Sequence, residues 1–199
     1  MLFLITNRKI IKKDTLLQII EKAVAGGVDA IILREKDLGY DELYKIAEEI
    51  KEKIEGKNTY LIINGNLAVA KDIKADGYHV GFHDLMTEKP DWNGFLGVSV
   101  HSVEEAILAE KNGARYLLAS HIFETACKKG LEPRGIDFIK EIKVYVNIPV
   151  IALGGIKLEN VEEVFGVGVE GIAVMSAIMC ADDPYSVANK FKNKICTAL

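Results

Sequence analysis

Eight short, uninterrupted apolar runs recur along the chain: LFLI (2–5), AIIL (30–33), YLII (60–63), GYHV (77–80), FLGV (95–98), YLLA (116–119), PVIAL (149–153) and GIAV (171–174). They do not alternate apolar with polar, so each reads as a strand covered on both faces, the condition of a parallel sheet. Parallel neighbours need a crossover between them, and the intervening segments read as helices. DTLLQIIEKAVAGG predicts a helix capped by Asp14 and stopped at Gly26, with Leu16, Ile19, Ile20 and Ala23 on one face. DELYKIAEEIKEKIEG predicts a second from Asp41 to Gly56 that buries Leu43, Ile46, Ala47, Ile50 and Ile54. In SVEEAILAEKNG, Ser102 stands three residues before Glu105, the spacing of a capping box, and the helix ends near Gly113. Further helices are expected over 136–145, in ENVEEVF and from Pro184 onward.

Eight strand–helix units in 199 residues, with no linker or composition break, point to an α/β chain folded as one compact (β/α)8 TIM barrel spanning 1–199, near the lower size limit of that fold. A doubly wound open sheet is the alternative. The first strand–helix turn lacks the Gly-rich dinucleotide fingerprint, which counts against it. A loose echo, GGVDAI, KADGYH, NGARYL and GVEGIA, marks four helix ends turning into strands. The net charge of −4 leaves no basic field for nucleic acid. Cys127, Cys180 and Cys196 are widely spaced with no CxxC pair, so neither a disulfide framework nor a zinc site is expected. The N-terminal apolar run is too short for a signal peptide or a membrane span, and the expected setting is cytoplasmic.

A (β/α)8 barrel carries its site at the C-terminal ends of its strands. That rule selects Thr6, Arg34 and Lys36, Asn64, His83 and Asp84, Ser99 and His101, Ser120 and His121, Gly154 and Gly155, and Met175 and Ser176. Arg34 and Lys36 are two apart on extended chain and so share a face, with Glu35 opposite. Two cations there suit an anionic ligand; the alternative is a solvated strand end with Glu35 paired outward. In ALGGIKLENV a strand runs into Gly-Gly and then a helix start, which would let backbone approach a ligand and offer N–H groups to phosphate. With VMSA after strand eight, these loops form the recurrent phosphate site of the fold. The loop after strand six, HIFETACKKGLEPRG, is long and holds His121, Thr125, Lys128, Lys129 and Arg134. His121 is placed to act as acid or base near neutral pH, or else to fill a gap. His79, within strand four, reads as structural. His83, Asp84 and His101 match no compact metal motif.

ILREKD, LIINGN, GYHVGFHDL, LGVSVHSVEEA, HIFETACKKGLEPRG, VIALGGIKLENV and GIAVMSAI come in the order that resembles the thiamine phosphate synthase superfamily. The resemblance implies a (β/α)8 barrel and thiazole phosphate chemistry in thiamine biosynthesis. Four positions depart from the synthase pattern. Ile32 stands where a glutamine is usual, Gly65 where an Mg²⁺-binding aspartate is usual, and His121 and Glu124 where prolines are usual. Asp84 then remains as the lone magnesium carboxylate, a weakened site for a hard cation. On those departures the chain looks closest to the TenI-type thiazole tautomerases. Such an enzyme is an isomerase that needs no cofactor: it moves a proton to convert a carboxythiazole phosphate tautomer with an exocyclic double bond into its aromatic form.

This resemblance implies His121 as the catalytic acid/base. Thr125, Ala126, Cys127, Gly154, Gly155, Met175 and Ser176 would line a phosphate pocket. Arg34, Lys36 and Lys128 would hold a second anionic end, with Asn64 and Ser99 also at the substrate. The partner is then a small thiazole phosphate, with no nucleic acid and no membrane, and a homodimer would be ordinary. Besides another phosphate-binding barrel isomerase or lyase, two alternatives stay open. One is a Mg²⁺-dependent thiamine phosphate synthase that couples hydroxymethylpyrimidine pyrophosphate to thiazole phosphate. The other is a non-catalytic regulatory protein that binds a thiazole or thiamine phosphate.

Overall fold

The computed structural model describes residues 1–125 and 130–198. Strands β1 (Leu2–Ile5), β2 (Ala30–Leu33), β3 (Tyr60–Asn64), β4 (Gly77–Gly81), β5 (Phe95–Val100), β6 (Tyr116–Ser120), β7 (Val150–Leu153) and β8 (Gly171–Val174) form a closed, all-parallel barrel in which β8 pairs with β1. The apolar runs are therefore the strands, and the open-sheet alternative is excluded. Around them lie α1 (Leu16–Ala25), α2 (Tyr40–Ile54), α3 (Leu67–Asp72), α4 (Phe82–Thr87), α5 (Val103–Lys111), α6 (Gly135–Tyr145), α7 (Val161–Phe165), α8 (Ser176–Met179) and α9 (Pro184–Ala198). Among the described residues no helix is long and apolar enough to cross a membrane.

The continuous apolar runs follow from two separate cores. Odd positions of β1 and even positions of β2, β3 and β6 put Phe3, Ile5, Ala30, Ile32, Ile62, Tyr116 and Leu118 into one cluster that fills the barrel. The alternate positions, Leu2, Leu4, Ile31, Leu33, Leu61 and Ile63, belong to the larger cluster between barrel and helices. Carried one step past the fill, the same alternation brings Arg34, Asn64, Ser99 and Met175 to the upper mouth.

The helix caps differ from expectation in two details. Thr15, not Asp14, caps α1: its hydroxyl accepts the Gln18 N–H and the Gln18 side chain accepts the Thr15 N–H. Asp14 instead takes Lys22 Nζ at 2.6 Å. Ser102 caps α5 as expected, but the Glu105 carboxylate accepts from His101 N at 2.6 Å rather than from Ser102.

The sequence echo has a physical basis at the lower, N-terminal rim. Asp29, Asp76 and Glu170 each directly precede an even-numbered strand. Each gives its own N–H to a carbonyl of the preceding odd strand and takes back that same residue's N–H on its carboxylate. The pairs are Leu2–Asp29, Leu61–Asp76 and Val150–Glu170, with carboxylate bonds of 2.7, 2.8 and 2.7 Å. Arg115 occupies the fourth place and makes only the backbone half of the pattern, donating to the Leu96 carbonyl. Asp29 also takes Lys192 Nζ at 2.6 Å, which pins α9 to the start of the barrel.

Candidate active site

At the upper rim, β1 and β2 continue into one braced corner. The buried Thr6 hydroxyl accepts the Arg34 N–H at 2.9 Å, and Thr6 N donates to the Ile32 carbonyl. Glu35 is not paired outward. It is 5% exposed, and its carboxylate accepts from Arg8 N and from Arg8 Nη1 at 3.1 Å. The same guanidinium donates to both oxygens of Asp37 at 2.8 and 2.7 Å, and Lys9 Nζ pairs with Asp37 at 3.0 Å. Arg8 and Lys9 together hold the Asp37 carboxyl far below the usual carboxylate range. The result is a small cleft lined by Asn7, Lys9, Arg34, Glu35, Lys36 and Asp37. Arg8 belongs to this site and was missed from sequence, because only the side-by-side pairing of β1 and β2 brings it to residues 27 and 29 positions on.

Next to this corner, at the end of β3, Asn64 Nδ2 donates to the His79 carbonyl at 2.9 Å, which leaves its amide oxygen for another donor or a cation. Gly65 follows at φ +78°, with open space where a side chain would stand. Asp84 lies exposed on the first turn of α4, its Oδ2 3.0 Å from the place a Cβ on Gly81 would take. The carboxylate thus leans back over the end of β4, beside β3. Mg²⁺ is held by one or two carboxylates plus substrate phosphates. Asp84 with the Asn64 oxygen fits the lower bound of that donor set. His83 lies exposed on α4, where its carbonyl accepts the Thr87 hydroxyl, and His101 sits against Glu105 at 3.4 Å. Among the described residues no group of three or more metal-ligating side chains converges.

Ser99, at the end of β5, bonds His79 Nε2 at 2.8 Å, and His79 Nδ1 bonds the Tyr116 hydroxyl at 2.9 Å inside the barrel. Burial first, and then the nearby Arg34 charge, push the His79 pKa down to about 3.

The loop after β6 is anchored more tightly than its composition implies. His121 is 5% exposed, and its ring nitrogen Nε2 lies 3.3 Å from the Leu131 carbonyl. Its backbone carbonyl accepts the Arg134 N–H, while Ile122 N and Phe123 N bond back to Leu153 and Gly154. Gly154 and Gly155, read from sequence as room for a ligand, first make room for this loop. A Cβ on either would stand 2.5 Å from His121 Cβ or from the Glu124 carbonyl oxygen, and both have positive φ, +105° and +66°. No helix starts directly after them; α7 begins only at Val161. By contrast α8 opens immediately after β8, with Met175 as its cap and Ser176 as its first residue. Thr125 and Ser120 lie at the mouth and each has interactions of its own. Ala126, Cys127 and Lys128 lie outside the described residues.

The family profile described as thiamine monophosphate synthase matches residues 2–178. The chain belongs to the thiamine monophosphate synthase family. A thiamine-phosphate synthase of Clostridium botulinum (strain 657 / Type Ba4) is 39% identical over 193 residues, 94% of each chain. One of Clostridium beijerinckii is 36% identical over 197 residues, covering 97% of this chain and 94% of the relative. The solved thiamine phosphate pyrophosphorylase of Pyrococcus furiosus superposes with a TM-score of 0.86 at 31% identity, covering 100% of this chain and 96% of its own. Membership of this family makes the chain an enzyme.

These relatives overturn the tautomerase reading, which rested on the departures from the synthase pattern. Three of those departures have a local reason that needs no change of chemistry. Ile32 is part of the barrel fill at 1% exposure. Gly65 serves a turn at positive φ. His121 is a packed loop anchor against Leu131. The acid/base role given to His121 falls with the reaction it was meant to serve.

Proposed function

We propose that this chain is a thiamine phosphate synthase, a transferase that joins hydroxymethylpyrimidine pyrophosphate to thiazole phosphate. The observation that carries this reading is identity of 39% to a thiamine-phosphate synthase over 94% of both chains. In the reaction a C–N bond forms from the thiazole ring nitrogen to the pyrimidine methylene carbon. The C–O bond to pyrophosphate breaks, and its electron pair leaves with pyrophosphate.

The upper rim supports this division of labour. Arg34 and Lys36 meet the pyrophosphate, Arg34 from the inner face of the barrel and Lys36 from the exposed rim. Thr6 and the Arg8–Glu35–Asp37 brace fix the backbone that carries both cations, so little ordering remains when substrate binds. Ser99 supplies a hydroxyl donor from β5. Asp84 and Asn64 would hold Mg²⁺, which when bound would offset charge on the departing pyrophosphate. The leading N–H groups of α8, which lack intrahelical acceptors, sit at the loop-eight position that recurrently takes phosphate in this fold and suit the thiazole phosphate. Below them Ile32, Leu118 and Leu153 close the barrel with apolar surface and keep water from the reacting carbon.

The test is direct. Purified protein given both substrates and Mg²⁺ is expected to form thiamine phosphate and pyrophosphate in equal amounts, followed by chromatography and a coupled pyrophosphate assay. Folded protein that forms neither would refute the assignment.

A further inference from the structure

We propose that His79 is a positioning residue: held as one tautomer by Tyr116, it accepts from the phenol, donates to Ser99 and so leaves the Ser99 hydroxyl proton for an anionic ligand in the barrel mouth. This deepens the synthase reading and rests on it for the identity of the ligand.

The argument begins with what a neutral imidazole can do. It has one donor and one acceptor nitrogen, and which is which follows from its partners. The Tyr116 hydroxyl lies at 2.9 Å from Nδ1, and the Tyr116 side chain is wholly buried. Among the described residues that nitrogen is its only hydrogen-bond partner. If Nδ1 carried the proton, the phenol would accept it and its own O–H would be left buried without an acceptor, which folded proteins avoid. Tyr116 is therefore the donor, Nδ1 the acceptor, and Nε2 carries the hydrogen. The Ser99 oxygen, 2.8 Å away, accepts it. Having accepted from below, the serine hydroxyl directs its proton elsewhere, and Ser99 is half-exposed near the C-terminal end of β5, where the barrel mouth opens.

A doubly protonated ring would donate from Nδ1 and again leave the buried Tyr116 O–H without an acceptor, so the packing itself selects the neutral imidazole. Burial likewise pushes the Tyr116 phenol upward and keeps it a donor. The arrangement is also built into the backbone. His79, Gly97 and Tyr116 lie on the adjacent strands β4, β5 and β6, and a Cβ on Gly97 would stand 2.0 Å from Tyr116 Cζ. The absent side chain is what lets Tyr116 cross under β5 to reach His79. Phe95 and Phe3 pack the same ring at centroid distances of 5.0 and 5.7 Å and hold it there.

Two measurements decide the matter, and neither uses turnover. Nitrogen NMR of the ¹⁵N-histidine-labelled wild-type protein is expected to show His79 with Nε2 protonated and Nδ1 bare; the reverse would disprove the relay. Calorimetric titration with inorganic pyrophosphate and Mg²⁺ then tests its purpose. Ser99→Ala is expected to weaken binding by about tenfold, the scale of one hydrogen bond to a charged group. His79→Leu should weaken it by several-fold in the wild-type background and have no further effect in Ser99→Ala. His79→Gln, which can accept from Tyr116 and donate to Ser99, should restore most of the affinity. Equal losses in both backgrounds, or no loss at all, would mean that His79 only packs the barrel. Wild-type protein that binds no pyrophosphate would overturn the ligand-facing half of the proposal. If the variants fail to fold, the tautomer in the wild-type spectrum still decides the first half. A chain that showed the expected tautomer and coupling yet formed no thiamine phosphate would fail as a synthase and keep this relay.

Discussion

The two rims of this barrel are made from the same eight strands and treat charge in opposite ways. At the lower rim, Asp29, Asp76 and Glu170 have their carboxylates occupied by strand N–H groups, and Lys192 and Lys143 take the remaining oxygens of Asp29 and Glu170. At the upper rim, Thr6 and Glu35 are spent on backbone and brace, while Arg34 and Ser99 are half-buried and Lys36 is exposed at the strand ends. The lower rim closes the barrel, and on the proposed function the upper rim meets the ligand. The separation is physical. Strand N–H groups that project beyond the lower end need acceptors, which acids supply; the loops at the other end are free to carry donors and cations for phosphate.

The largest expected break of this comparison is Arg34→Ala. With a charged hydrogen-bonding group lost from the mouth, kcat/KM should fall by roughly a hundredfold while thermal stability holds. An equal fall in both would mean that Arg34 belongs to the framework instead. Asp29→Ala probes the opposite rim. It strips the Leu2 N–H and Lys192 of their acceptor and should cost about 2 kcal/mol of unfolding free energy in denaturant titrations. The residual kcat at a permissive temperature should be unchanged.

His79 lies between the two rims and gives a pH signature. Its folded pKa, near 3, is below the unfolded value near 6.5, so the unfolded chain binds the proton first as pH falls. Stability from this residue is complete above about pH 6.5 and is lost progressively below it, by roughly 2 kcal/mol at pH 5. His79→Gln should flatten the acid limb of the stability curve by that amount. An unchanged limb would show that His79 is already solvated. The smallest effect is expected from Thr15→Ala, which removes the α1 cap far from the mouth and should cost about 1 kcal/mol with no change in KM. A rise in KM would show that the helical shell and the upper rim are coupled.

The misreading of function is instructive in the same terms. Ile32, Gly65 and His121 were weighed as lost or gained chemistry because they fall at chemically used positions. In the folded chain they answer to packing, a turn and a loop anchor. A residue type at a strand end says what it could do, whereas its neighbours across the barrel decide what it is already doing.

What the sequence determined by itself is whatever depends on near neighbours. The eight runs, their doubly covered character and the Ser102 cap follow from local periodicity and turn chemistry, and with them the closed barrel and the rim on which Arg34, Asn64, Ser99 and Ser176 must lie. What only the tertiary structure decided depends on closure. The Arg8–Glu35–Asp37 brace and the His79–Tyr116 pair join residues 27 to 37 positions apart, and Gly154 is needed because His121 comes to lie against it. Period-2 alternation says which face a side chain takes, but the barrel's register says which side chain it meets there.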